Sequence, residues 1–137
     1  MKIRIISLFL IIPLLLSACW KEEADHIPVL PNRTILFYMA GDNSLGDETQ
    51  EKIDALAAAW NVGGNSHLLV YQDRGEEYMP RLLEVKTGAD GKGTVEVLEE
   101  YKDENSASAG VFARVLNDML RYCPGSDYGL VVFSHSS

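Results

Sequence analysis

The chain has 137 residues and a formal net charge of −8, and its length suits one small domain. Its 20 acidic residues outnumber the 12 basic ones and no basic stripe interrupts them, so nucleic acid is excluded as a partner. The two cysteines, Cys19 and Cys123, imply no disulfide framework if Cys19 carries lipid, and an ordinary apolar fraction of 47% predicts a globular protein.

The first 18 residues predict a secretory signal peptide. Residues 1–4 carry two positive charges, and residues 5–16 are almost wholly apolar, a stretch too short for a membrane-spanning helix. The sequence Leu16-Ser17-Ala18-Cys19 resembles the lipobox of bacterial lipoproteins. This resemblance implies cleavage before Cys19, lipid on that residue and a membrane anchor. The alternative is an ordinary signal peptide in which the cysteine is coincidental.

Residues 19–32 predict a tether, because they contain two prolines and an acidic start without hydrophobic periodicity. Its Lys21-Glu22-Glu23 resembles the charged signal that takes some Bacteroidetes lipoproteins to the outer face of the outer membrane. A solvated tether accounts for the same charges, so surface display stays open. The expected location is the bacterial outer membrane.

Strands and helices alternate through residues 33–137. The expected strands cover residues 34–40, 67–71 and 128–133. The expected helices cover residues 47–60 and 107–121, the second capped by Asn105 or Ser106. Between them, residues 81–86 and 94–98 flank a turn-rich spacer and predict a β-hairpin. The alternation indicates an α/β domain with a mostly parallel central sheet and helices on both faces.

The polar cluster after the first strand has two interpretations. Asp42 and Asn43 lie beyond the carboxyl end of that strand, where they would shape a substrate pocket. They would also suit the cap of the helix that starts near Ser44, which is the plainer expectation. The remaining histidines and acids, His26 and His67 among them, show no metal-ligand spacing, so no metal site is expected.

The last strand leads into the strongest candidate residue. Residues 128–133 form a short, continuously apolar run, which predicts a fully buried strand of a parallel sheet. His135 follows at the carboxyl end, where a histidine is well placed for proton transfer near neutral pH. A serine nucleophile beside it is not supported, because no glycines flank Ser134 or Ser136. The expectation is part of an active site that lacks its nucleophile.

Two segments carry a family resemblance. Residues 35–45, Ile-Leu-Phe-Tyr-Met-Ala-Gly-Asp-Asn-Ser-Leu, resemble the first strand and loop of the clostripain family of cysteine peptidases. Residues 128–135, Tyr-Gly-Leu-Val-Val-Phe-Ser-His, resemble the strand that leads to that family's catalytic histidine. The resemblance implies a caspase-like fold, a His–Cys dyad and cleavage of protein or peptide substrates after Arg or Lys. It implies no cofactor in this part of the chain and is compatible with a calcium requirement.

By this resemblance His135 is the general acid and base, and the nucleophile comes from a later strand. Cys123 precedes the last strand, at the opposite end of the sheet, and is expected to be structural. The expectation is therefore an amino-terminal fragment of a lipid-anchored cysteine endopeptidase that is inactive alone. The alternative is a non-catalytic surface lipoprotein that uses the same fold to bind a glycan or a peptide.

Overall fold

The computed structural model describes residues 32–42, 44–62 and 64–134. The signal peptide, the tether apart from Asn32, and the candidate residues Cys19, Asn43 and His135 lie outside these ranges. The described chain forms five strands and two helices: β1 (Arg33–Ala40), α1 (Gly46–Ala59), β2 (His67–Asp73), β3 (Arg81–Thr87), β4 (Gly93–Glu100), α2 (Ala109–Tyr122) and β5 (Asp127–Ser134). All seven predicted elements are confirmed, with ends that differ by one or two residues.

The strands form one sheet in the order β4-β3-β2-β1-β5. Strand β1 lies in the centre and pairs in parallel with β2 on one side and with β5 on the other. Strands β2, β3 and β4 pair antiparallel, so every described strand except β3 runs in the same direction. The sheet is therefore mixed, and its carboxyl edge gathers the ends of β1, β2 and β5.

The two helices cover opposite faces of the sheet, as predicted. Successive side chains of a strand point to opposite faces, so β1 contributes to two cores. The core under α2 includes these residues: Leu36, Tyr38, Leu69, Tyr71, Leu82, Val111, Val115 and Met119. The core under α1 includes these: Met39, Ile53, Leu68, Val70, Leu83 and Val85. The stripe of Leu56, Ala57 and Trp60 packs against the second core, which confirms the amphipathic interpretation of α1.

Both helix caps differ from the sequence expectation. Helix α1 begins at Gly46, and its cap position is Leu45, which makes no side-chain cap hydrogen bond, so the expectation that Asp42 caps it is wrong. Helix α2 is capped by Ser108, whose hydroxyl accepts a hydrogen bond from Val111 N at 3.3 Å, rather than by Asn105 or Ser106. Asn105 instead accepts from Ala107 N at 2.9 Å and forms a turn before the helix.

Strand β5 is parallel, as predicted, but the expectation that it is fully buried is wrong. It is the outermost strand on one side of the sheet, and within the described residues no strand pairs with its outer side. Leu130 is 48% exposed and Val132 is 57% exposed. The continuous apolar run was interpreted as a sign of full burial, but β5 is the outermost described strand on its side of the sheet and much of its surface is open. In the described part of the chain, no helix is long and apolar enough to cross a membrane.

Candidate active site at the carboxyl edge of the sheet

Three strand ends meet at the carboxyl edge. Ala40, the last residue of β1, is in register with Asp73 of β2 and with Ser134 of β5. The amide of Gly41 donates to the carbonyl of Asp73 at 3.0 Å and extends the pairing by one residue. His135 is outside the described residues, but Ser134 directly precedes it in the chain. The chain thus leaves the last described strand at the edge where β1 and β2 end.

Gly41 allows these elements to approach closely. A β-carbon built on Gly41 would lie 2.6 Å from Thr49 Cγ2 and 2.7 Å from the carbonyl oxygen of Asp73. Both distances are shorter than carbon atoms tolerate in packed proteins, and one of the contacting atoms is backbone. Only glycine therefore permits the first turn of α1 and the end of β2 to pack against the end of β1.

A buried carboxylate lies at this edge. Asp73 is fully buried, and its Oδ1 accepts a hydrogen bond from Gly75 N at 3.0 Å. Its Oδ2 is buried without a hydrogen-bond partner among the described residues. Asp73 was not among the candidate residues predicted from the sequence, although it follows the apolar run of residues 67–71 as Asp42 follows that of residues 34–40. Because each acid follows an apolar strand segment, the sequence could have placed Asp42 and Asp73 together at the carboxyl edge of the sheet.

An acidic cleft opens beside these strand ends and has a volume of about 580 Å³. The charged and aromatic residues that line this acidic cleft are Asp42, Asp47, Arg74, Glu76, Glu77 and Tyr78. Arg74 donates to Asp47 at 3.3 Å, and its guanidinium lies 4.0 Å from the centre of the Tyr78 ring. Four carboxylates and one guanidinium leave the cleft negative, so it favours a cationic ligand.

Asp42 is the acid of the cleft that follows β1. Its side chain is exposed, yet partial desolvation and repulsion from Asp73, Asp103 and Glu76 raise its pKa above the ordinary value. The pKa rises because lost hydration, and then the nearby negative charges, make the ionised form of Asp42 less favourable. A cation bound in the cleft would relieve this repulsion.

Cys123 lies at the amino edge of the sheet, the edge where β1 and β2 begin. It follows α2, and its carbonyl accepts a hydrogen bond from Thr34 Oγ1 at the start of β1, at 3.1 Å. Burial, with a further contribution from Glu84, raises the pKa of the Cys123 thiol to about 11. A buried, protonated thiol is a poor nucleophile, and it lies at the end of the sheet away from Ser134. The prediction that Cys123 is not the partner of His135 is supported on both counts.

Solved structures of other proteins resemble this chain, whereas no protein-family model and no curated protein matches it. An inactive zymogen C11 protease of Parabacteroides distasonis is 33% identical, with a TM-score of 0.68 over 81% of this chain and 32% of its own. A secreted C11 cysteine protease of Bacteroides thetaiotaomicron, solved with an irreversible peptide inhibitor, is 29% identical. Its TM-score is 0.71 over 79% of this chain and 30% of its own.

A third structure, described as a B. fragilis cysteine protease, is 29% identical, with a TM-score of 0.65 over 79% of this chain and 92% of its own. The chain thus spans nearly all of one solved polypeptide and about a third of the other two. It has the caspase-like α/β fold of a cysteine peptidase. The relatives that share this fold are C11 proteases, the clostripain family, so the resemblance predicted from the sequence is confirmed.

Proposed function

We propose that this chain supplies the histidine half of the catalytic centre of a cysteine endopeptidase that cleaves after Arg or Lys. The observation that carries the proposal is the register of the central strands. Ala40 is aligned with both Asp73 and Ser134, so β5 ends at the edge that holds the acidic cleft, and Ser134 directly precedes His135 in the sequence. A proton-transfer group and a site for a basic side chain are both needed for this reaction.

His135 would act as both base and acid. It would take the proton of the attacking thiol as the sulfur bonds to the substrate carbonyl carbon, and return it to the leaving amine. Water would then hydrolyse the thioester. The attacking cysteine would be neither Cys123, which is buried at the opposite end of the strands, nor Cys19, which lies in the segment that resembles a lipobox. We therefore place the nucleophile in polypeptide outside these 137 residues.

The surface beside β5 supports that placement. A groove of about 420 Å³ runs between α1 and β5. Its walls include these apolar residues: Phe37, Met39, Leu56, Val131 and Phe133. The outer edge of β5 also presents backbone groups that no described strand pairs with. An apolar groove next to an open strand edge suits a further strand of the same sheet, and that strand would carry the nucleophile.

Substrate preference is expected to depend on the acidic cleft, with Asp42 and the neighbouring Asn43 as candidate pocket residues. In the whole protein, Asp42→Asn should raise KM for peptides with Arg at the cleaved position by about two- to fivefold, because it removes one exposed charge. The kcat and the melting temperature should stay near wild type, because Asp42 does not cap α1. The measurement is steady-state kinetics on peptides with Arg or an uncharged residue at the cleaved position. A parallel assay with a calcium chelator tests whether turnover requires calcium.

Asp127→Asn is the matched control, since Asp127 is an exposed acid at the opposite edge of the sheet. An equal rise in KM in both variants would show a general effect of charge and count against a pocket at Asp42. Peptide binding without any turnover in the whole protein would favour the alternative, a non-catalytic surface lipoprotein.

We also propose that the mature protein is held on the outer membrane by lipid on Cys19. Cys19→Ala should move the protein from the membrane fraction to unprocessed or soluble forms, because two or more acyl chains give stable anchoring. Labelled palmitate incorporation and membrane partition would be measured together, with Cys123→Ala as the matched control. Unchanged partition and labelling in Cys19→Ala would contradict lipidation. One solved relative is described as secreted, which is compatible with a location outside the cytoplasm.

A further inference from the structure

Three side chains with metal-binding atoms meet at the amino edge of the sheet, away from the candidate active site. His67 is the first residue of β2, Glu84 lies in β3, and Cys123 ends α2. His67 Nδ1 is 3.0 Å from Glu84 Oε1, and Cys123 Sγ is 3.9 Å from the same oxygen. All three donor atoms lie within 4.8 Å of one another. Three different elements thus bring an imidazole, a carboxylate and a thiol together.

We propose that His67, Glu84 and Cys123 form a Zn²⁺ site. The donor set of one nitrogen, one oxygen and one sulfur suits zinc, which accepts all three, and disfavours Ca²⁺ and Mg²⁺, which require oxygen ligands. Zinc ligands at ordinary bond lengths lie about 3.3–3.8 Å apart around a tetrahedron, so small side-chain rotations would complete the geometry. Neither the peptidase resemblance nor the proposed chemistry at the opposite edge requires this site.

The surroundings leave room for a fourth ligand. A cleft of about 510 Å³ includes all three residues, and Ser66 and Thr87 give it a polar lining. The side chain of His67 is 34% exposed, whereas that of Glu84 is only 11% exposed. The site is therefore supported from within by the sheet and is open to solvent on one side. A water molecule would take the fourth position of the zinc ion, as in sites with three protein ligands.

One cation competes with zinc at this site. Lys86 Nζ lies 3.1 Å from Glu84 Oε2, the oxygen that does not contact His67. Lys86 also pairs with Glu96 on β4 at 2.5 Å, so it has a second partner when zinc reduces the charge on Glu84. The ammonium would lower zinc affinity without occupying the position between the three donors. Removing it should therefore strengthen binding.

Zinc would join the end of α2 to the strands beneath it. Binding converts the neutral Cys123 thiol to a zinc-bound thiolate and releases one proton to solvent for each ion bound. Because the ligands come together only in the folded chain, zinc should raise the melting temperature of the protein. Neither expectation involves peptide hydrolysis, so this proposal and the peptidase proposal can fail separately.

The test is a Zn²⁺ titration of the metal-free whole protein by calorimetry in two buffers of different ionisation enthalpy. We expect one ion and about one released proton per chain. Cys123→Ser and His67→Gln should each weaken binding by at least about tenfold. Lys86→Met should tighten zinc binding severalfold. It should change the stability of the fold little, because the Lys86 side chain is exposed. Asp90→Asn, an exposed acid in the β3–β4 turn, is the control and should bind zinc like the wild type.

Substitution with Co²⁺ gives an independent readout, because a cobalt–thiolate bond produces a near-ultraviolet charge-transfer band. The band should persist in Cys19→Ala and disappear in Cys123→Ser. The proposal is contradicted if the wild type binds Zn²⁺ no more tightly than Cys123→Ser, if Lys86→Met does not strengthen binding, or if the Co²⁺ complex lacks the thiolate band.

Discussion

Replacing His135 by alanine should lower kcat of the whole protein on Arg-containing peptides by about a hundredfold or more. The imidazole is proposed to hold the thiol proton during acylation and to deliver it to the leaving amine, so its loss affects the chemical step. KM should change much less, because His135 is not expected to bind the basic side chain. The measurement is kcat and KM for a fluorogenic Arg peptide, with thermal melts to confirm an intact fold.

His26→Ala is the matched control for that substitution, since His26 lies in the tether predicted from the sequence. It should retain wild-type kcat. Full activity in His135→Ala would contradict the assignment of His135 as the group that transfers the proton. Equal losses in both variants would indicate a defect of expression or folding rather than of proton transfer.

Replacing Gly41 by alanine should destabilise the protein by about 1–3 kcal/mol. The added methyl group would lie 2.6 Å from Thr49 Cγ2 and 2.7 Å from the carbonyl of Asp73, so α1 or β2 has to move. That movement would disturb the ends of β1 and β2 and the acidic cleft beside them, and activity should fall with stability. Urea unfolding of the whole protein, followed by circular dichroism, measures the loss.

Gly110→Ala is the control for Gly41→Ala, because a β-carbon on Gly110 meets no atom within 4 Å. Gly110 lies in the first turn of α2, where alanine is the better helix former, and the substitution should stabilise by up to about 1 kcal/mol. A Gly41→Ala variant as stable as the wild type would contradict the close packing at the carboxyl edge.

The periodicity of the sequence was enough to predict the strands and helices, because the decisive signals are local. Buried strands such as β2 are continuous apolar runs, and the stripe of α1 repeats at the helical spacing. Helix caps were less predictable. Asn105, Ser106 and Ser108 are all polar residues before α2, and only the backbone geometry shows that Ser108 accepts from Val111 N.

Features that depend on strand order could not be read from the sequence. The apolar run of β5 indicates a preference for burial, but its place at the edge depends on which strands pair, and that is a long-range property. The group of His67, Glu84 and Cys123 depends on the β2–β3 register and on where α2 ends. Asp73 and the acids of the acidic cleft come together for the same reason, from separate loops.

We propose that His135 activates a cysteine outside these 137 residues, and covalent labelling of that cysteine would measure the activation. The whole protein would be treated with an Arg- or Lys-containing peptide that carries a thiol-reactive ketone, and the adduct located by mass spectrometry. We predict a thioether on a cysteine other than Cys19 and Cys123, formed about a hundredfold more slowly in His135→Ala. An adduct on Cys123, or labelling at the same rate without His135, would contradict the proposed role of His135.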